Sequence, residues 1–167
     1  LFVVEGAVDV IRVFVGTEDN QFTPQQVLED SIRARTTGPV EVRFCRQEIG
    51  RVGGTNFGFV RFMVPSLCEF KGKAIYLDAD MVALADVREL WNALSDDYAI
   101  AVVIQPEGFF GGKDVTQMPQ TSVMVLNCEK LTTWDPKTMF SPVVPNKAKL
   151  EEGQIHYRDF MALTWCD

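Results

Sequence analysis

The stretch that decides the fold is Lys73-Ala74-Ile75-Tyr76-Leu77-Asp78-Ala79-Asp80. Its first part is a compact apolar run, which predicts a strand covered on both faces, as in the parallel sheets of α/β proteins. Two carboxylates, those of Asp78 and Asp80, follow this strand directly. Because open α/β sheets bind ligands at the carboxyl edge of their strands, the pattern predicts a functional site at this point.

The chain before this strand predicts a βαβ unit. A β-branched run at Val10–Val15 predicts a strand, and a cluster of turn formers, Gly16–Asn20, follows it. Thr23 predicts the N-cap of a helix with Pro24 in its first turn, and helical spacing continues to the Gly-Pro stop at positions 38 and 39. The alternating segment Val40–Phe44 predicts a second strand, parallel to the first.

The chain around and after the central strand continues the alternation. Phe57–Val64 predicts a helix closed by Pro65, and the capping-box pattern Asp86–Glu89 begins another helix. Two further apolar runs, Tyr98–Ile104 and Ser122–Leu126, predict strands. The alternation of strands and helices therefore predicts an α/β protein, in a single domain spanning residues 1–167.

Composition narrows the class of protein. The 167 residues include 16 Lys and Arg against 23 Asp and Glu, giving a net charge of −7 and a pI near 4.7, which excludes a strongly basic nucleic-acid binder. No apolar stretch approaches the roughly 18 residues of a transmembrane segment. The four cysteines stand far apart with no CxxC pair, which predicts buried free thiols and favours a cytoplasmic location.

Asp78 and Asp80 have the spacing of a divalent-cation site. In extended chain, side chains two residues apart point the same way, so both carboxylates are expected to reach one cation. Hard oxygen ligands suit Mg²⁺ or Mn²⁺, which complete their shells with water and substrate phosphate. The pair predicts a metal–diphosphate site that neutralises charge on a leaving diphosphate. The alternative is that both are loop carboxylates that cap a turn.

Several segments together form a more specific pattern. They are Arg61-Phe62-Met63-Val64-Pro65, the central strand with its Asp-Ala-Asp and Met81-Val82, Glu89-Leu90-Trp91, and Val123–Leu131. In these segments the chain resembles family 8 glycosyltransferases, the glycogenin-like and lipopolysaccharide galactosyltransferase-like group. The resemblance covers most of Val10–Leu131, and the ordered combination is much more specific than the Asp-Ala-Asp alone.

The resemblance implies a GT-A fold, which is a Rossmann-like α/β fold with a mixed, mostly parallel sheet flanked by helices. It further implies that the protein binds a nucleotide-sugar, usually a UDP-sugar, through Mn²⁺ or Mg²⁺ and transfers the sugar with retention. The acceptor would be a saccharide, a lipid or a protein. Asp78-Ala79-Asp80 matches the donor-binding motif, with Asp78 and Asp80 as metal ligands, and Arg61 matches an arginine near the diphosphate and sugar. Thr17 and Asp19 lie in the segment that matches the nucleotide-binding loop.

The chain departs from the family at two places. The Asn-Ser-Gly or Asn-Ala-Gly element before the later strand is replaced by Gln120-Thr121-Ser122, so Gln120 or Ser122 is expected to contact the donor. The family's third metal ligand is a histidine near Lys-Pro-Trp, and the single histidine, His156, lacks that context. The third ligand is therefore expected beyond Asp167, in a longer protein of which this chain is a fragment.

Two alternatives remain at this stage. A truncated or degenerate domain would bind a nucleotide-sugar without turnover. A haloacid-dehalogenase-like phosphatase would use Asp78 as its nucleophile, because that family also places a DxD motif after an apolar strand, although usually near the N-terminus. The sequence identifies no catalytic base.

Overall fold

A computed structural model describes residues 9–46, 51–52, 56–104, 119–134 and 155–156. The strands are β1 (Ile11–Gly16), β2 (Val40–Cys45), β3 (Arg51–Val52), β4 (Lys73–Asp78), β5 (Ile100–Ile104), β6 (Pro119–Asn127) and β7 (Ile155–His156). The helices are α1 (Phe22–Arg35), α2 (Val64–Leu67), α3 (Val87–Ala93) and two 3-10 helices, Asn56–Met63 and Cys128–Lys130. Within these residues, no helix is both long and apolar enough to span a bilayer.

Five of the strands form one sheet in the order β2-β1-β4-β6-β5. β1 pairs in parallel with β2 and β4, whereas β6 is antiparallel to both of its neighbours. Four strands therefore run in the same direction, and the mixed, mostly parallel sheet predicted from the sequence is confirmed. β3 and β7 form a separate two-stranded parallel sheet, in which His156 pairs with Val52.

Both faces of the large sheet are covered, which explains the continuous apolar character of β1 and β4. The face covered by α1 and α3 buries smaller aliphatic side chains, including Ile11, Val13, Ile75, Leu28 and Val87. The face covered by the 3-10 helix Asn56–Met63 buries mainly large side chains, including Phe14, Tyr76, Phe59, Phe62 and Trp134. Burial of each such side chain contributes about 1.5–3 kcal/mol to folding.

The strand order reverses between β1 and β4. From β1 the chain passes through α1 to β2 on one side, and it returns through the 3-10 helix Asn56–Met63 and α2 to β4 on the other side of β1. Right-handed crossovers that move in opposite directions place their helices on opposite faces of the sheet. The carboxyl ends of β1 and β4 therefore border the crevice in which open α/β sheets bind ligands.

Two predicted helix boundaries are wrong. α1 begins at Phe22 rather than after Thr23, so Gln21 is its N-cap residue, without a side-chain capping hydrogen bond. A turn precedes the helix, in which the main-chain N–H of Gln21 donates to the carbonyl of Glu18 at 3.0 Å. Pro65 does not close a helix but lies in the first turn of α2. This position tolerates proline, since a first-turn N–H has no partner within the helix.

Candidate functional site

The predicted nucleotide loop and the Asp-Ala-Asp motif lie side by side. In the parallel pairing of β1 with β4, Gly16 is the register partner of Asp78. The main-chain N–H of Ala79 donates to the carbonyl of Gly16 at 3.0 Å, which extends the pairing one residue past the strand. The two segments that the sequence assigned to one site are therefore joined by main-chain hydrogen bonds at the point where the strand order reverses, between β1 and β4.

Asp78, the last residue of β4, is buried with 8% exposure and is surrounded by donors. Its Oδ1 accepts hydrogen bonds from the hydroxyl of Tyr76 at 2.8 Å and from Nη2 of Arg61 at 3.0 Å. Burial raises the pKa of the Asp78 carboxyl, and the charge of Arg61 and the hydrogen bonds from Tyr76 and Ser122 oppose that shift. The hydrogen bonds from Tyr76, Arg61 and Ser122 use about three of the roughly four lone-pair positions of the carboxylate, which leaves room for a cation at one position.

Arg61 is itself buried, with 5% exposure, and its guanidinium is shared between two strands. One nitrogen bonds Asp78 on β4 and another donates to the hydroxyl of Thr121 on β6. Its plane lies over the ring of Tyr76, with Cζ 5.1 Å from the ring centroid. The sequence predicted an arginine at the donor, and the structure places this arginine against the first carboxylate of the Asp-Ala-Asp motif.

Tyr76 and Gly16 belong to this arrangement. Gly16 begins the predicted nucleotide-binding loop, whereas Tyr76 was not predicted as a site residue. The Tyr76 hydroxyl occupies the space above Gly16, because a Cβ added there would lie 2.1 Å from the hydroxyl oxygen. Burial raises the pKa of Tyr76 well above its ordinary value, so the hydroxyl keeps its proton and donates to Asp78. Strand alternation offered a signal, since Tyr76 and Asp78 are two residues apart and face the same side.

β6 brings Thr121 and Ser122 to the same point through a bulge. Val102 of β5 pairs with Met124, but the next residue, Val103, pairs with Gln120, so β6 has three residues between these two pairings where β5 has none. Bulges redirect side chains and are frequent beside functional sites. Of the two predicted residues, Ser122 forms a side-chain hydrogen bond with Asp78, and Gln120, the residue before Thr121, is half-buried. Thr121 was not predicted.

Asp80 is exposed, in contrast to Asp78. The strand ends at Asp78 and a turn begins at Ala79, so the extended geometry assumed from the sequence stops at the first carboxylate. The charge of Asp80 nevertheless contributes to the raised pKa of Asp78, which places the two carboxylates within electrostatic reach. Among the described residues no group of three or more His, Cys, Asp or Glu side chains could hold a metal.

The loop after Asp80 is fixed to the rest of the fold. The N–H of Ala83 donates to the hydroxyl of Ser31 in α1 at 2.9 Å. Asp86, which caps α3 as predicted, accepts from the N–H of Arg88 at 2.8 Å and from the hydroxyl of Thr37 at 2.6 Å. These hydrogen bonds lower the pKa of Asp86, and the one from the Thr37 hydroxyl is the largest cause. The exposed Asp80 therefore stands at the start of an anchored segment.

The two predicted residues of the nucleotide loop differ in their surroundings. Thr17 is buried, and its hydroxyl donates to Oε1 of Gln25 in α1 at 3.2 Å. Asp19 is exposed and forms a salt bridge of 3.4 Å with Arg46, which also donates to Gln25 at 3.1 Å. Thr17 thus connects the loop to α1, and Asp19 presents an accessible carboxylate.

A second cleft, of about 670 Å³, lies at the opposite edge of the sheet, where the parallel strands begin. Its cations are committed to neighbouring groups of the protein. Arg12 donates to the carbonyl of Lys73, and the Lys73 ammonium bonds the carbonyl of Leu94 and the carboxylate of Asp96. These bonds tie chain segments together, so the carboxyl edge of the sheet, where the strand order reverses, is the better candidate for chemistry.

Comparison with known proteins gives a fold and one partial relative. No protein-family model matches the chain. Protein CDI of Arabidopsis thaliana is 35% identical over 103 residues, which is 55% of this chain. The aligned region is 40% of the length of that relative.

Solved structures of glycosyltransferases share the fold. The glycosyltransferase GlyE of Streptococcus pneumoniae TIGR4, in its apo form, superposes with a TM-score of 0.60 at 15% identity, covering 92% of this chain and 42% of GlyE. The bifunctional glycosyltransferase WbbM gives 0.59 at 17% identity, covering 83% and 35%. The galactosyltransferase LgtC, solved with donor and acceptor sugar analogues, gives 0.57 at 15% identity, covering 87% and 73%. The chain has the GT-A glycosyltransferase fold, as the sequence predicted.

Proposed function

We propose that this chain is the donor-binding domain of a family 8 glycosyltransferase that transfers a sugar from a UDP-sugar, with retention, using Mn²⁺ or Mg²⁺. The observation that carries the proposal is the carboxylate pair Asp78 and Asp80 at the strand reversal, with Asp78 held by Arg61 and Tyr76. Because the domain spans only part of its relative's length, the activity of the whole protein is part of the same proposal.

The donor set fits a hard divalent cation. Asp78 would offer its second carboxylate oxygen, and the exposed Asp80 would offer its carboxylate, which is the oxygen chemistry that Mn²⁺ and Mg²⁺ prefer. When bound, such a cation neutralises charge on the departing diphosphate. Two carboxylates leave coordination positions for water and for phosphate oxygens of the donor.

Charge balance supports this assignment. A chain with a net charge of −7 repels a nucleoside diphosphate at long range, so a site for one needs local positive charge. Arg61 supplies one positive charge beneath Asp78 and offsets the carboxylate that would face the donor. The cation would supply the rest, and for this reason we expect donor binding to depend on the metal.

The residues of the β1 loop would contact the nucleoside. Gly16 is adjacent to Asp78 in the sheet, so the main chain from Gly16 to Asp19 lines the same crevice. Asp19 is the accessible polar side chain of this loop, and Ser122 and Gln120 lie on the β6 side. We assign the nucleoside to the β1 side and the sugar to the β6 side of the Asp-Ala-Asp motif.

The phosphatase alternative has less support. The solved structures reported above that share the fold of this chain are glycosyltransferases. The alternative of a domain that binds without turnover shares every feature of the site with the proposal. These two are separated by measuring turnover.

The test is the release of UDP from a panel of UDP-sugars in the presence and absence of Mn²⁺. We expect metal-dependent UDP release that is lost in Asp80→Asn, which removes one metal ligand at an exposed position and leaves Arg61 and Asp78 in place. Asp97→Asn, the same change at an exposed position before β5, is the matched control and should retain activity. Proton NMR of the released or transferred sugar reports whether the anomeric configuration is retained.

The outcomes separate the candidates. UDP binding without UDP release supports the non-catalytic domain. Release of UDP that is equal with and without metal, or unchanged in Asp80→Asn, contradicts the proposal. Hydrolysis of simple phosphomonoesters by wild type that is lost in Asp78→Asn would support the phosphatase alternative instead.

A further inference from the structure

We propose that Tyr76 is a positioning residue of the donor site: its hydroxyl fixes the orientation of the Asp78 carboxylate, and its ring supports Arg61. The inference rests on the proposed function, because it assigns a role within the same metal–diphosphate site. Resemblance and spacing gave Tyr76 no role beyond a strand residue, and its role follows from its contacts.

The contacts place Tyr76 at the centre of the cluster. Its hydroxyl donates to Oδ1 of Asp78 at 2.8 Å, and the guanidinium carbon of Arg61 lies 5.1 Å from its ring centroid. Tyr76 is fully buried, so neither contact is shared with solvent. Its backbone is held on both sides, by Phe14 of β1 and Met124 of β6 in the sheet register. The hydroxyl therefore has a fixed position relative to the end of β4.

Gly16 makes this position available. The nearest atom to a Cβ built on Gly16 is the Tyr76 hydroxyl oxygen, at 2.1 Å, so only a residue without a side chain fits beneath the hydroxyl. Gly16 is also the register partner of Asp78. The absence of a side chain at Gly16 thus leaves space at the carboxyl end of β1. The Tyr76 hydroxyl of β4 occupies this space and donates to Asp78.

The hydroxyl acts on the geometry of the carboxylate. Together with Arg61 it occupies the lone pairs of Oδ1, so Asp78 cannot chelate a cation through both oxygens, and with the hydrogen bond from Ser122 the carboxylate is held in one orientation. Outer hydrogen bonds of this kind orient metal ligands, and their loss commonly lowers metal affinity by about 10- to 100-fold. Core packing alone does not need the oxygen atom, because a phenyl ring fills nearly the same volume.

The experiment compares Tyr76→Phe with Tyr98→Phe in the chain as it stands. Tyr98 is 67% exposed and lies outside the cluster, so it controls for the loss of one phenol oxygen. The probe is UDP, titrated calorimetrically with and without saturating Mn²⁺, and the thermal unfolding midpoint of each variant is measured in parallel. For Tyr76→Phe we expect metal-supported UDP binding to weaken about tenfold or more, with metal-free UDP binding and folding retained.

The results distinguish the positioning role of Tyr76 from the proposed function. If wild type binds UDP with Mn²⁺ and Tyr76→Phe binds it equally well, the positioning role is wrong while the proposed function stands. If Tyr76→Phe unfolds or loses metal-free and metal-supported binding in equal proportion, the hydroxyl is structural and the positioning role is also wrong. If Mn²⁺ does not strengthen UDP binding by wild type, the proposed function fails and removes the basis for the role of Tyr76.

Discussion

Replacing Gly16 with alanine inserts one methyl group at the most crowded point of the site. The new Cβ would lie 2.1 Å from the Tyr76 hydroxyl oxygen, 2.9 Å from Cζ and 3.1 Å from Cε2. The backbone of Gly16 is that of a β-strand, so alanine causes no backbone strain there. The steric overlap with one side chain is therefore the whole perturbation.

The magnitude follows from the rigidity of that side chain. Ordinary contact begins near 3.4 Å, so the oxygen is too close by more than 1 Å, and the fully buried Tyr76 ring has no exposed direction in which to move. Overpacking of this kind costs about 1–3 kcal/mol, partly offset by the roughly 0.4–1 kcal/mol that alanine gains by restricting the unfolded chain. For a chain of 167 residues we expect the unfolding midpoint to fall by several degrees, at about 2–4 °C per kcal/mol.

The assay is a double-mutant cycle on the free energy of unfolding, measured by urea denaturation of wild type, Gly16→Ala, Tyr76→Phe and the double variant. Removing the hydroxyl removes the 2.1 Å contact but leaves the ring carbon at 2.9 Å, so Gly16→Ala should be milder in the Tyr76→Phe background. A coupling energy on the order of 1 kcal/mol is expected. If Gly16→Ala costs the same in both backgrounds, or costs nothing, the described packing of Tyr76 over Gly16 is incorrect.

Three further predictions concern other parts of the chain. Arg61→Met leaves the buried Asp78 carboxylate without its cation and should cost about 3–5 kcal/mol in urea denaturation at neutral pH, with recovery when Asp78→Asn is added, since the two side chains are only 6% and 11% exposed. Asp86→Ala should lower the thermal midpoint at neutral pH and Asp86→Asn should restore it in part. Because the pKa of Asp86 lies below its ordinary value of 3.8, the stabilisation is present above that pH and is lost as the pH falls through the folded-state pKa, so wild type and Asp86→Ala should converge in acid. Burial raises the pKa of Cys45 to about 11, so mass spectrometry should show alkylation by iodoacetamide at pH 8 on the order of a hundredfold slower than for a model peptide thiol, and a comparable rate would contradict its burial.

The sheet could be predicted from the sequence because its signals are local. The β4 strand is an apolar run followed by charge, and the capped start of α3 is a short-range pattern that the structure confirms at Asp86. The start of α1 could not be placed as well. Its N-cap residue, Gln21, makes no side-chain capping hydrogen bond, and residue type gave stronger preference to Thr23 as a cap.

The site was predictable in its charged members and not in its neutral ones. Asp78 and Arg61 are recognisable by residue type and spacing, and the structure brings them to 3.0 Å. Thr121 reaches Arg61 only because β6 bulges between its two pairings with β5, and a bulge leaves no clear mark in a sequence of β-forming residues. Tyr76 looked like an ordinary strand residue, and its contact with Gly16 of the predicted loop depends on the register between β1 and β4.

The central claim is that Asp78 and Asp80 form a metal-dependent nucleoside-diphosphate site at the strand reversal, and the most direct test is calorimetric titration of UDP with and without Mn²⁺. We compare wild type with Asp80→Asn, which leaves the buried Arg61–Asp78 pair intact, and with Asp97→Asn as the control. The account predicts that Mn²⁺ strengthens UDP binding by roughly tenfold or more in wild type and in Asp97→Asn, and that this gain disappears in Asp80→Asn. UDP binding that is independent of Mn²⁺, or a gain that persists in Asp80→Asn, would contradict it.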